Sequence, residues 1–189
     1  IVLKPEINLN SFYYDPKPFF LDAKLGLLAF VEDLIFQYED ESWVSILGGN
    51  KGRKYHQAAD LGESIFVLSM HKDDDKNSNT ISKIFKRNDN WIKETVQING
   101  IESLKYIVAM YYHKNKFYFI SGDVIYITNT ETLLEKIEIP FSLFRFKMSF
   151  FQDNIFLFIN SRDTAHCVLK LTDNQLETVF TDCILEPND

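Results

Sequence analysis

A run of acidic and amide residues between two predicted strands is the feature of this sequence closest to a metal site. Asp73, Asp75, Asn77 and Asn79 offer oxygen ligands at alternate positions, as a calcium-binding loop does. The run has no Gly at the sixth position, and Ile84 stands at the twelfth position, where such a loop has Glu. We therefore interpret it as a solvated loop and expect neither a metal nor a cofactor.

Two further groups of residues invite a chemical interpretation. Residues 48–54 are rich in Gly and basic side chains and could contact an anion, but they lack the Gly-Lys-Ser/Thr ending of a phosphate loop. His71 and His166 flank predicted loops, and His166 precedes Cys167, which suggests a metal ligand or a nucleophile. The position of Cys167 in a predicted strand suits a buried structural thiol instead, so we assign no catalytic residue.

Composition and charge exclude several classes of partner. The net charge is −7, with 27 acidic against 20 basic residues, and the basic residues are scattered. No basic stripe is present to follow a phosphate backbone, so we expect no nucleic-acid partner. The apolar runs are too short for a membrane span, and we expect a cytoplasmic protein. The absence of an initial Met leaves a processed, secreted chain open, and the spacing of Cys167 and Cys183 leaves a disulfide open.

The residues just described lie between short apolar segments. Aromatic residues make up 15% of the chain and Gly is scarce, which favours β-structure. The apolar segments form four groups of four, separated by turn residues, at residues 12–47, 55–98, 104–139 and 144–180. We expect no helix longer than two turns, with residues 130–135 as the place where a single helical turn could form.

The four groups repeat with a nearly constant period. The first residues of the fourth predicted strands lie 42 to 48 residues apart, and seven residues before each lies an apolar residue of the third strand. The fourth-strand positions are Trp43, Trp91, Leu133 and Leu176, and the third-strand positions are Phe36, Ile84, Tyr126 and Leu169. A four-stranded unit of this period is the signature of a β-propeller blade, whereas a β-sandwich has no reason to keep a constant period.

The pairs Phe36…Trp43 and Ile84…Trp91 resemble the kelch-type propeller repeat. In that repeat an aromatic residue of the third strand precedes a Trp at the start of the fourth by this interval. The other two blades carry Leu at the Trp position, and the paired glycines that usually close the second strand are absent. The resemblance implies blades arranged radially, innermost strand first, with a surface that such families commonly use to hold other proteins.

The phase of the repeat leaves one extra segment at the N-terminus. Residues 1–7 fall where the outermost strand of a preceding blade would be, so we expect an additional N-terminal strand. That strand would either close a small ring of four blades or belong to a segment of a larger propeller. In the second case the remainder of the larger propeller is itself a partner. In both cases we expect one propeller domain or propeller segment spanning residues 1–189.

The long connections predict where a partner would bind. Residues 48–54, 71–79 and 161–165 share one side of a propeller, and irregular loops on a rigid scaffold commonly carry binding. We predict a non-catalytic module that binds a protein partner through Arg53, Lys54, His71, Asp73, Asp75 and Arg162. The alternative is a propeller enzyme or glycan-binding domain with a central pocket lined by Tyr55, His56, Tyr111 and Tyr112. The inner strands are mostly apolar, which favours the first hypothesis.

Overall fold

The computed structural model describes residues 18–48, 53–71, 79–101, 107–139, 145–151, 154–160, 166–172 and 175–181. Every regular element in these ranges is a β-strand. The strands form four antiparallel sheets, each with four strands in sequence order. The prediction of an all-β fold of the β-propeller class, with four four-stranded blades, is confirmed.

Each blade is a meander of four consecutive strands. Blade 1 contains β1 (Phe19–Ala23), β2 (Gly26–Val31), β3 (Leu34–Glu39) and β4 (Ser42–Leu47). Blade 2 contains β5 (Arg53–Asp60), β6 (Ile65–His71), β7 (Thr80–Arg87) and β8 (Asn90–Val96). Blade 3 contains β9 (Ile107–His113), β10 (Lys116–Ser121), β11 (Val124–Thr128) and β12 (Leu133–Glu138). Blade 4 contains β13 (Arg145–Phe151), β14 (Asn154–Asn160), β15 (His166–Thr172) and β16 (Gln175–Thr181).

The single helical turn for which residues 130–135 were named as the likeliest place does not form. The side-chain Oδ1 of Asn129 accepts hydrogen bonds from the backbone N–H groups of Glu131, at 2.8 Å, and Thr132, at 2.7 Å. This Asx turn leads directly into β12 at Leu133. The predicted N-terminal strand at residues 1–7 and the start of the first predicted blade lie outside the described residues.

The chain divides into two compact units. The first unit contains blades 1 and 2 and the beginning of β9. The second unit contains residues 98–101, the rest of blade 3 from the end of β9 onward, and blade 4. In the first unit, buried aliphatic and aromatic side chains of both blades form one core. It includes Leu28, Phe30 and Ile35 of blade 1 with Ile65, Val67 and Ile84 of blade 2.

The core of the second unit is rich in aromatic rings. Phe117 and Phe119 stack on one face of β10, with their centroids 5.6 Å apart. Phe150 of blade 4 lies against Tyr111 and Tyr118 of blade 3, with centroids 6.3 Å and 5.8 Å away. These contacts bury the face of blade 4 that is directed at blade 3.

Candidate functional site

The structure places three of the six predicted binding residues. Arg53 begins β5 and is the register partner of His71, which ends β6, so these two predicted residues are brought together. Lys54 is only 7% exposed, so most of its side chain is covered by the protein. The remaining three, Asp73, Asp75 and Arg162, lie outside the described residues.

The connections between second and third strands differ among the blades. In blades 1 and 3 they are two-residue turns, at residues 32–33 and 122–123. In blade 2, β6 ends at His71 and β7 begins at Thr80; in blade 4, β14 ends at Asn160 and β15 begins at His166. We call the side of each blade that carries these connections its long-loop side. The two longer connections interrupt an otherwise regular repeat.

Tyr55, one of the residues assigned to a central pocket, packs between blades 1 and 2. Its Oη accepts a hydrogen bond from Lys93 Nζ at 2.9 Å, and its backbone N–H donates to Glu32 O at 2.7 Å. The pKa of Tyr55 is raised to about 12, mainly by burial of the phenol and to a smaller extent by the negative charge of Asp33. The phenol therefore stays protonated at neutral pH.

The pocket residues from β9 are also engaged in structural contacts. Tyr111 Oη accepts a hydrogen bond from the backbone N–H of Met148 at 3.2 Å, and this bond links blades 3 and 4. Tyr112 Oη donates to Asn115 Oδ1 at 3.0 Å, beside the β9–β10 turn. His113, which the sequence did not single out, stacks on Phe150 with ring centroids 4.5 Å apart. Tyr111 and His113 thus contact blade 4, whereas Tyr112 bonds within its own blade.

A hydrogen-bonded Gln–Trp pair joins blades 1 and 2. The indole Nε1 of Trp91 donates to Gln37 Oε1 at 3.1 Å, and Gln37 Nε2 donates to the backbone oxygen of Leu25 at 3.0 Å. Trp91 therefore packs against the preceding blade. Trp43 instead contacts Phe20 and Tyr38 of its own blade, and its buried Nε1 has no acceptor among the described residues.

A shallow basic cleft lies between blades 1 and 2, on the side opposite the long-loop side. It has a volume of about 550 Å³ and is lined by Lys24, Lys83, Lys86 and Phe85, with Glu63 among the other lining residues. Lys86 also lies 3.8 Å from Glu39 and over the ring of Trp91. Part of the positive charge of the cleft is thus already compensated by protein groups.

The outer faces of blades 1 and 4 carry exposed apolar side chains. We define the outer face of blade 1 as the side away from blade 2, and that of blade 4 as the side away from blade 3. Phe20 and Leu34 are exposed on blade 1, and Phe158 and Phe180 are exposed on blade 4.

Within the described ranges, no group of three or more His, Cys, Asp or Glu side chains is placed to hold a metal ion. That part of the chain also has no helix long and apolar enough to cross a membrane. Cys167 is buried in β15, while Cys183 lies outside the described residues.

No family model matches the chain, and no curated protein matches it. A solved structure from a structural and mechanistic study of two prolyl endopeptidases is similar, with a TM-score of 0.60 and 11% sequence identity. The similarity covers 85% of this chain and 25% of that chain, so the present chain spans about a quarter of the length of its structural relative. At this identity the likeness supports the β-propeller fold alone.

Proposed function

We propose that this protein is a non-catalytic β-propeller module that binds another protein through the long-loop side of its blades. The proposal rests chiefly on one observation, the departure of blades 2 and 4 from the two-residue turns of blades 1 and 3. A repeat that can close with two residues gains nothing in stability from a longer connection, because loop closure costs more entropy as the loop lengthens. Longer loops on such a scaffold therefore suit binding.

The register of blade 2 supports this location. The backbones of Arg53 and His71 are paired in the register of β5 and β6, at the point where the longer connection starts. With Asp73, Asp75 and Arg162 they would supply the polar rim of an interface. Rim charges act mainly on the association rate and its salt dependence. The kelch-like spacing of the third and fourth strands supports the same class of function.

The alternative enzyme or glycan-binding function receives less support. It requires polar and titratable groups that converge in a pocket. Tyr111, which would line that pocket, uses its hydroxyl group in a contact between blades 3 and 4, and Tyr55 uses its own in a hydrogen bond with Lys93 of blade 2. Their roles are explained by packing, and no additional function is needed to account for them.

The test is to replace residues 72–78 and 161–165 each with Gly-Asp, the turn that this chain already uses at residues 122–123. The native and altered chains are immobilised, exposed to an extract of the source cells, and the retained proteins are quantified by mass spectrometry. We expect the altered chain to lose the specifically retained protein by at least about tenfold, or about 1.4 kcal/mol of binding free energy. A control chain with Asp40-Glu41 replaced by Asn-Gly, on the opposite side, should retain it.

Circular dichroism and thermal melting of both altered chains separate lost binding from lost folding. Equal retention by the native and loop-replaced chains would show that these loops do not bind the partner. Hydrolytic turnover by the native chain that disappears on His56→Ala would instead establish the enzyme hypothesis.

A further inference from the structure

One repeat position is buried in three blades and exposed in the fourth. The third-strand residues Phe36, Ile84, Tyr126 and Leu169 each pair with a residue of the second strand. The position in question is the next residue along that second strand. The residues at this position are Phe30, Phe66, Ile120 and Phe158. The first three are at most 2% exposed, whereas Phe158 is 45% exposed. The same position thus loses its cover only in the last blade.

The first blade shows what normally covers this position. Phe30 lies edge to face against Tyr55 of the following blade, with ring centroids 5.7 Å apart. In blade 4, Phe158 pairs with Val168, which pairs with Phe180, so the three side chains form a row across the outer face. Phe180 is 55% exposed. The row has the composition of a surface that packs against another blade.

The outer face of blade 1 also carries a side chain that is exposed where its equivalents in other blades are buried. Leu34 lies two residues before Phe36 in β3 and is 37% exposed. The residues at the same position in blades 2 and 4, Ser82 and Cys167, are both at most 4% exposed, and Val124 of blade 3 is half-buried. In blades 2 and 4, this side of the sheet is covered by the preceding blade. The same side of blade 1 is not covered by another described blade.

Trp43 differs from its equivalent in blade 2 in its hydrogen bonding. Trp91, at the equivalent repeat position, donates its indole N–H to Gln37 of the preceding blade. The indole N–H of Trp43 is buried and has no acceptor in the described part of the chain. An unpaired buried donor costs free energy that a neighbouring polar group would recover.

The two outer faces also carry opposite charges. Lys147 pairs with Phe158 and is exposed on the outer face of blade 4. The other two charges of that face, Lys170 and the exposed Glu177, are register partners and offset each other. Asp22 lies two residues after Phe20 in β1, so both side chains point to the outer face of blade 1, and both are exposed. A cationic aromatic face and an anionic aromatic face are electrostatically complementary.

We propose that copies of this chain associate head to tail, with the outer face of blade 4 of one copy packed against the outer face of blade 1 of another. Each face then receives the type of neighbour that its equivalents have inside the chain. The contact joins two unlike surfaces, so it is heterologous. It goes beyond the proposed function, because it uses the outer faces and leaves the long-loop side available to a partner.

Two variants and their mixture test this arrangement. Phe158→Asp disables the outer face of blade 4, and Phe20→Asp disables that of blade 1. Sedimentation velocity at about 100 µM, a concentration at which contacts of micromolar affinity are populated, should show a dimer or larger species for the native chain. Each variant alone should be monomeric, and their equimolar mixture should form a heterodimer and nothing larger.

The mixture is the decisive measurement, because only unlike faces allow the intact blade 4 of one variant to pair with the intact blade 1 of the other. The control is Leu134→Asp, which changes a side chain of similar exposure on β12 and should leave the association intact. Circular dichroism confirms that each variant is folded, with Phe158→Ser as the milder replacement. A native chain that is monomeric at this concentration, or a mixture that stays monomeric, would overturn the proposal.

Discussion

At the scale of single residues, the two tryptophans at one repeat position differ in what they bond. Trp91 donates to Gln37, which is buried, whereas the Trp43 indole N–H has no acceptor among the described residues. Trp91→Phe should leave Gln37 Oε1 buried and unsatisfied, at a cost of about 1–3 kcal/mol. Trp43→Phe removes some ring surface but also an unsatisfied donor. We therefore expect Trp91→Phe to reduce the free energy of unfolding by more than Trp43→Phe does.

Urea denaturation at low protein concentration measures both changes without a contribution from association. Gln37→Leu, alone and combined with Trp91→Phe, completes a double-mutant cycle in which we expect a coupling of about 0.5–3 kcal/mol. Equal losses for the two tryptophan variants, together with no coupling, would show that this hydrogen bond contributes nothing to stability.

The sequence could predict that both tryptophans lie at a packing position, because their spacing from the third strand repeats. It could not predict the bond to Gln37, which lies 54 residues from Trp91 along the chain. Such a partner is fixed by the approach of two blades, and local periodicity contains no information about it. The burial of Lys54 was missed for the same reason, since its cover comes from tertiary packing.

At the scale of elements, tight turns determine the registers of the strands. Asp40 and Glu41 both have positive φ angles, 46° and 62°, and they form the whole connection between β3 and β4. Two central residues with φ > 0 are the pattern of a type I′ hairpin turn, which favours Asp-Gly. Glu41→Gly removes the left-handed strain of a residue with a Cβ, so we expect the free energy of unfolding to rise by about 0.5 kcal/mol.

Thermal and urea denaturation of Glu41→Gly measure this gain. Glu63→Gly is the matched control, because Glu63 is an exposed turn residue that is absent from the described residues with positive φ. There the added chain entropy should lower stability slightly. A loss of stability in both variants would mean that the turn conformation at Glu41 carries no strain.

The strands themselves could be predicted closely, because alternation of apolar residues and turn chemistry act locally. The fourth blade, predicted at residues 144–180, was placed within one residue at each end. The absence of a helical turn at residues 130–135 has a physical cause. Glu and Leu favour a helix there, but the Asn129 side chain bonds to the backbone of Glu131 and Thr132 and enforces a turn.

At the scale of the whole molecule, the period of the repeat predicted the number of blades and the propeller class. It could not predict which faces remain exposed, because the repeat gives equivalent positions the same residue type whether or not a neighbour covers them. Phe30, Phe66 and Phe158 show this directly, since they are the same residue type with very different exposure. The exposure of Phe158 could therefore be determined only from the structure.

The charges of the outer faces give the last prediction. If Lys147 of one copy faces the surface that carries Asp22 of another, Lys147→Glu should weaken head-to-tail association, and it should do so less at high salt. Exposed charge pairs contribute about 0.2–1 kcal/mol, so we expect the dissociation constant to rise about twofold to fivefold. Sedimentation at several salt concentrations measures the change. Lys116→Glu alters the net charge equally at an exposed site on β10 and should have little effect.

Mixing Lys147→Glu with Asp22→Lys identifies the pairing itself. In the mixed contact the new Glu meets the new Lys, so association should return to the native strength at low salt. The second contact in the same mixture pairs the original Lys147 with the original Asp22 and is unaffected. If Lys116→Glu weakens association as much as Lys147→Glu does, the effect is one of net charge. If the mixture fails to recover, these two residues do not lie across one interface, and the packing of blade 4 on blade 1 must have a different registration from the one that their charges indicate.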